Sequence, residues 1–186
     1  MDLVKHVIWS LNQANNSGDF TGLLYNSICS KHCKEYLQVG TGDEYTLFSA
    51  LFGNDKVHAT VVDEFLKSNF VGQVDVLNED FHNINIINFL KKPVDVFVYS
   101  GDRSEDAITK VWDILASKAI IIIDNWNFLH TRQGVETGMK KVDANVVEKF
   151  EIRHGTVRGL AIFVVDKRVV TCSCNECECT QCSCRM

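Results

Sequence analysis

The chain is short of proline, of positive charge and of long apolar runs, and each shortage removes a class of protein. Pro93 is the one proline among 186 residues. That excludes Pro-rich linkers and polyproline recognition segments and favours one domain with a core of its own. The formal net charge is −5, so no nucleic-acid partner is expected. No apolar run reaches the roughly 18 residues of a membrane span. The opening M-D-L-V-K-H-V-I-W-S has no basic start followed by a long apolar stretch. Neither a membrane association nor a signal peptide is expected, and the default setting is cytoplasmic. The body holds only two cysteines, Cys29 and Cys33, as suits a reduced domain.

What is present is a strand–helix alternation. Leu3, Val4, Val7, Ile8 and Leu11 recur at steps of three and four, the mark of an amphipathic helix over 2–14. Asn15 to Gly18 punctuates it, and a second helix is expected over 20–32. Apolar bursts of strand length follow at 36–40, 57–63, 74–77, 94–99 and 119–124. Helix-like segments at 44–52, 65–70, 82–91 and 104–116 separate them, which predicts parallel βαβ units. Ala119 is followed by four isoleucines and Asp124. A parallel strand covered on both faces reads this way, and four β-branched residues in succession favour a pleated surface over a buried helix turn. After a helix at 131–142, strands are expected at 146–152 and 159–165. The link between them is too short for a crossover, so they pair antiparallel. The expected fold class is α/β: a Rossmann-like three-layer sandwich with a seven-stranded, mostly parallel sheet whose last strand is antiparallel. One domain is expected over 1–170, with N-terminal helices over 1–33 and a Cys-rich tail over 171–186.

Ligands of open α/β sheets sit beyond the carboxyl ends of the strands. The first such end carries Gly40-Thr41-Gly42, where backbone can approach a ligand closely. The second ends in Asp63, suited to a ribose diol, and the third leads into Asn78-Glu79-Asp80. The fourth opens into Ser100-Gly101-Asp102-Arg103, and the fifth into Asp124-Asn125-Trp126. Taken singly, each has a plainer account as a turn, a cap or an Asx turn. Their occurrence at successive strand ends, in order, is the signal.

On the blocks Y36-L-Q-V-G-T-G42, A59-T-V-V-D63, Y99-S-G-D-R-S-E-D106, I120-I-I-I-D-N-W-N127 and T131-R-Q-G134, the sequence resembles the class I S-adenosylmethionine (SAM) dependent methyltransferases. It looks closest to their macrocin O-methyltransferase-like branch, over roughly residues 35–165. The resemblance implies SAM over Gly40, Thr41 and Gly42, with Asp63 on the ribose, Asp80 near the adenine and Ser100 at the fourth-strand position. It also implies a divalent cation, Mg²⁺, at Asp124 and Asn125, whose oxygens suit a hard ion. Gln38 replaces the family's usual acid before the glycine loop, Glu44 stands near a further glycine's place, Ser100 replaces an aspartate and Arg103 a histidine. Methyl transfer is an in-line displacement in which alignment dominates. A base helps where the acceptor is a hydroxyl, and Asp102 and His130 are the candidates. Arg132 is a candidate partner for an anionic acceptor or a helix anchor, and Trp126 a candidate acceptor-pocket wall or a packing residue. The expected activity is SAM-dependent O-methylation of a small-molecule acceptor. The alternative is a catalytically degenerate module of the same fold.

The tail carries Cys172, Cys174, Cys177, Cys179, Cys182 and Cys184. Its paired C-x-C steps resemble metallothionein-like segments, which gather thiolates around Zn²⁺ or Cu⁺. Neighbours this close would make strained disulfide loops. A redox-labile or lipidated extension, or one without a role, is the plainer account.

Overall fold

The computed structural model describes residues 2–40, 44–66, 74–153 and 158–167. Two helices open the chain, α1 (Leu3–Asn15) and α2 (Phe20–His32). Each starts on an aspartate: Asp2 accepts from the N–H of Val4, and Asp19 from that of Gly22, both at 3.0 Å. These bonds satisfy amides the first turn leaves without partners. The strands are β1 (Glu35–Val39), β2 (His58–Val62), β3 (Val74–Leu77), β4 (Val94–Tyr99), β5 (Leu115–Asp124), β6 (Val146–Ile152) and β7 (Leu160–Asp166). Between them lie α3 (Tyr45–Leu51), α4 (Ser104–Trp112) and α5 (Leu129–Lys141).

The sheet order is β3-β2-β1-β4-β5-β7-β6. Strands β1 to β5 pair parallel, and β7 inserts antiparallel between β5 and β6. This is the expected seven-stranded sheet with its last strand reversed. The strand order reverses at β1, which has β2 on one side and β4 on the other. A crevice opens at such a point.

The period of two along each strand divides the core into two layers. Leu37, Phe97, Ile121 and Ile123 pack with Ile108, Val111 and Val135 of α4 and α5. Tyr36, Val98, Ile120 and Ile122 pack with Val7, Leu24, Ile28 and Leu47 of α1, α2 and α3. The four isoleucines of β5 are buried on both faces, which accounts for the absence of polar alternation in that strand. The edge strand β6 is mostly exposed or half-buried, whereas β7 is buried throughout.

Two segments differ from the sequence reading. The expected helix over 82–91 contracts to one 3₁₀ turn, Ile86–Asn88. Asn83, Asn85 and Asn88 favour local turns over helix, and Pro93 closes the segment. The helix over 104–116 stops at Trp112, and β5 begins at Leu115. Leu115 pairs with Val94, and pairing resumes only at Val96 with Ile120, so the intervening residues bulge out. Lys167 ties down this junction, donating to the carbonyls of Trp112 at 2.6 Å and Leu115 at 3.2 Å. Of the helix expected at 65–70, residues 67–70 lie outside the described residues.

Candidate functional site

A cavity of about 440 Å³ opens where β1, β2, β3 and β4 end. That is within the usual range for small-molecule sites, about 300–1,000 Å³. At the end of β1, Gly40 has φ +74°, a conformation side-chain-bearing residues rarely adopt. Its N–H donates to Val62 at 3.0 Å, and a Cβ there would meet the carbonyl of Ser100 at an ordinary contact distance, 3.4 Å, so it is the φ that calls for glycine. The buried Gln38 holds this turn. Its Oε1 accepts from Tyr36 Oη at 2.7 Å, and its Nε2 donates to Gly40 O at 3.3 Å and to Thr46 Oγ1 at 3.0 Å. The amide that replaces an acid thus ties β1, the turn and α3 together without burying a charge.

After β2, the backbone N–H of Asp63 donates to Leu77 at 3.1 Å, and its Oδ1 accepts from Phe65 N–H at 2.8 Å. After β3, Asp80 Oδ1 accepts from His82 N–H at 2.8 Å. Both are Asx-type closures that fix a carboxylate at a strand end. Phe65 stands at the lip, 81% exposed. After β4, the hydroxyl of Tyr99 accepts the N–H of Arg103 at 3.0 Å and lies 3.4 Å from His82 Nε2. Burial raises the Tyr99 phenol to about 12. Burial, and secondly the Arg103 charge, hold His82 below the usual histidine range.

The lining is acidic. Among the described residues of the lining, Asp63, Glu64, Glu79, Asp80 and Asp102 stand with one guanidinium, Arg103, which is itself paired with Asp106 at 2.7 and 3.0 Å. Val39, Val62 and Phe81 form the apolar floor. Such a cavity favours a ligand that carries positive charge beside an apolar or aromatic body.

Four of the residues given a cofactor or catalytic role from the sequence meet in this lining: Gly40, Asp63, Asp80 and Asp102. Thr41 and Gly42 lie outside the described residues, as do Cys172, Cys174, Cys177, Cys179, Cys182 and Cys184. Ser100 lies beside Gly40 but does not line the cavity; its N–H donates to Val39 at 2.9 Å. Asp124 and Asn125 sit one strand further along and are not in the lining. Asn125 turns at φ +61°, and its N–H donates to Asp124 Oδ1 at 2.8 Å. No group of three or more His, Cys, Asp or Glu suited to a metal occurs among the described residues. The Mg²⁺ expected at Asp124 and Asn125 thus has this pair, and no larger cluster among the described residues, to support it.

His130 is exposed, stacked on Phe128 at 5.6 Å, and stands outside the cavity on the first turn of α5. Trp126 is fully buried, edge-on to Phe163 at 5.6 Å, so it packs the core rather than walling a pocket. Arg132 donates to the carbonyls of Trp126 and Asn127, each at 2.9 Å, and anchors the turn between β5 and α5. Among the lining residues to which the sequence reading gave no role of their own are His82, Phe65 and Tyr99. The adjacency of Asp80, Phe81 and His82 was the available signal, but a helical reading of 82–91 hid it.

No protein-family model matches the sequence, and no curated protein matches it either. Solved structures do. An O-methyltransferase from Bacillus cereus in complex with S-adenosylhomocysteine (SAH) superposes with a TM-score of 0.60, at 15% identity, over 90% of this chain and 92% of that one. A SAH-bound methyltransferase from Podospora anserina gives 0.56, at 13% identity, over 87% and 86%. A spermidine synthase from Thermotoga maritima gives 0.51, at 12% identity, over 75% and 55%. At such identities the likeness is one of fold, and the last of the three carries a different activity on it. No described helix is long and apolar enough to cross a membrane. The chain has the seven-stranded, Rossmann-like fold of the class I SAM-dependent methyltransferases.

Proposed function

We propose that the chain is a SAM-dependent methyltransferase acting on a hydroxyl of a small-molecule acceptor, nearest in kind to the macrocin O-methyltransferase-like branch. The observation that carries this reading is the acidic cavity at the switch point, where Gly40, Asp63 and Asp80 come together. When bound, SAM supplies a methyl group activated by a sulfonium. The chain's own residues bind and orient. Gly40 keeps the turn free of a side chain, Asp63 accepts from a ribose diol, and Asp80 stands at the adenine end. Among the described residues, five carboxylates against one guanidinium favour a cationic cofactor, and Val39, Val62 and Phe81 exclude water from its apolar parts. Asp102 is exposed at the mouth and is the group placed to take the acceptor's proton.

Calorimetric titration of the full chain with SAM tests the reading. Binding that SAH abolishes by competition is the expected result. Folded protein that gives no heat with either compound removes it.

A second reading is favoured by Arg103 and His130. Arg103 is spent on Asp106, and His130 stands outside the cavity. In that reading the cavity binds SAM without turnover, and the tail is a metallothionein-like metal site of Zn²⁺ or Cu⁺. Elemental analysis of the purified chain, with and without residues 171–186, examines the tail. Metal in the full chain that disappears on truncation is expected. Equal metal content in the two forms rules the tail out as the site.

A further inference from the structure

We propose that the methyl acceptor is an organic acid with an apolar or aromatic body. It lies on the exposed first turn of α5, beside the cavity mouth, and Arg158 on the neighbouring rim anchors its acidic group. The proposal rests on the reading of the cavity as a SAM site and names the acceptor class that site serves.

The surface continues from the cavity without a break. Asp102 and Arg103 stand at the mouth. The next residue, Ser104, starts α4, and its Oγ donates at 3.1 Å to the carbonyl of Thr131 on the first turn of α5. Gly134 permits that approach, since a Cβ there would collide with Ser104 Oγ. The chain enters the same turn through Phe128, Leu129 and His130. Phe128 and Leu129 are 47% and 60% exposed, and the His130 ring stacks on Phe128 with centroids 5.6 Å apart. Two large apolar side chains together at the mouth of a ligand cavity, one of them already stacked on an imidazole, make a platform for a planar or apolar body.

The charge beside the platform decides what covers it. Asn127 precedes Phe128. Its N–H donates to Arg158 O at 2.9 Å, and its Nδ2 donates to Arg153 O at 3.3 Å. Gly159 brings this backbone close, at φ +76°; a Cβ there would lie 2.5 Å from Asn127 Oδ1. Lys149, Arg153 and Arg158 are thereby gathered where β6 ends and β7 begins. Glu151 takes up the first two, with Lys149 Nζ at 2.6 Å and Arg153 Nη2 at 2.7 Å. Lys149 first, and Arg153 with it, hold that acid at about 2, so it stays ionised. Asp124, one strand over, has its Oδ1 on the N–H of Asn125. Arg158 is exposed and pairs with no carboxylate among the described residues. The rim is therefore basic at β6 and β7 where the cavity lining is acidic at β2 to β4, and the two ligands are sorted by charge. The end of β4 and the start of β7 are two strand spacings apart, so the acceptor's hydroxyl and its acidic group are separated by about 10 Å.

The test uses the full chain with SAH present and a probe of that shape, 4′-hydroxybiphenyl-4-carboxylate, with its neutral carboxamide as the control. Calorimetry reads the binding of each. The acid is expected to bind about fivefold more tightly than the amide, the upper worth of an exposed ion pair. Arg158→Gln should abolish that preference and leave the amide's affinity unchanged. Phe128→Ala should weaken both probes about threefold, because the platform serves the body and not the charge. Both side chains are exposed, and melting temperatures verify that the variants fold. Equal binding of acid and amide overturns the anchor, as does a preference that survives Arg158→Gln or a chain that binds neither probe. Hexaglutamate bound through Arg158, with neither biphenyl bound, assigns the surface to an acidic polypeptide and overturns the acceptor. The same titrations without SAH separate the two readings. An Arg158-dependent preference in a chain that does not bind SAH supports the anion surface and removes the cofactor reading instead. A chain that binds SAH and shows no preference removes the surface alone.

Discussion

Asp63→Ala is expected to weaken SAH binding about 100-fold and to leave the fold intact. In the proposed SAM site Asp63 would meet the ribose diol with two charge-assisted hydrogen bonds, each worth about 1.5–3 kcal/mol. Loss of about 3 kcal/mol in total is two decades of affinity, at roughly 1.4 kcal/mol per tenfold change. The half-exposed position of Asp63 makes the unfolding cost small by comparison. Its backbone bond to Leu77 survives the substitution, and only the side-chain closure on Phe65 N–H is lost. Asp63→Asn separates the two roles. The amide oxygen still closes on Phe65, while the charge is gone, so a loss of about tenfold is expected, the difference between charged and neutral acceptors. Calorimetry on the two variants, with melting temperatures alongside, gives the comparison. An alanine variant that binds SAH as tightly as wild type would mean that Asp63 is a turn residue and no more.

The parts of the fold that were legible in the sequence are those where one physical rule had no competitor. Residues 120–123 are four isoleucines because β5 has helices on both faces and polar atoms on neither. The link between β6 and β7 is too short for any crossover, and the pair is antiparallel. The strand-end carboxylates were legible for a related reason. Asp63 follows one apolar run directly and Asp80 follows another after Asn78 and Glu79, so parallel strands were bound to place them on one rim, and they share a lining.

What was not legible depended on side-chain direction or on a balance of weak preferences. The 82–91 stretch has the apolar content and length of a helix, yet three asparagines and the approach to Pro93 leave it only a 3₁₀ turn. His82 then faces the cavity instead of riding on a helix. Asp124 and Asn125 occupy a strand end as expected, but β5 lies one strand beyond the cavity, and their side chains are not in its lining. A chain position names a rim, and the rotation about the strand decides which side of that rim a carboxylate serves. Gln38 shows the converse. In sequence it is only a departure from the family's usual acid, and in the structure it has a definite bonding role across β1, the turn and α3.

The second large effect concerns Trp126, where the sequence left packing and acceptor binding both open. Trp126→Ala is expected to destabilise the chain by about 3–5 kcal/mol, the range for truncating a buried aromatic. The indole is fully buried in the layer that contains Val135, Met139 and Phe163. It meets Phe163 edge-on at 5.6 Å, a pairing worth about 0.5–1.5 kcal/mol beyond its buried area. Lys149 Nζ lies 4.6 Å from the ring centre on the β6 side and would lose that contact. The surroundings cannot close over the gap readily. The backbone of Trp126 is pinned by its N–H to Gly159 at 3.1 Å and by Arg132 on its carbonyl at 2.9 Å. A cavity therefore remains, and its cost adds to the lost transfer energy. In a chain of this length, 3 kcal/mol corresponds to a fall in Tm of roughly 6–12 °C. Urea unfolding gives the free energy directly. Trp126→Phe, which keeps an aromatic edge for Phe163, should lose markedly less. Because Trp126 takes no part in the cavity lining, folded Trp126→Ala should still bind SAH with wild-type affinity. Loss of that affinity at preserved stability would return Trp126 to the wall of a ligand site.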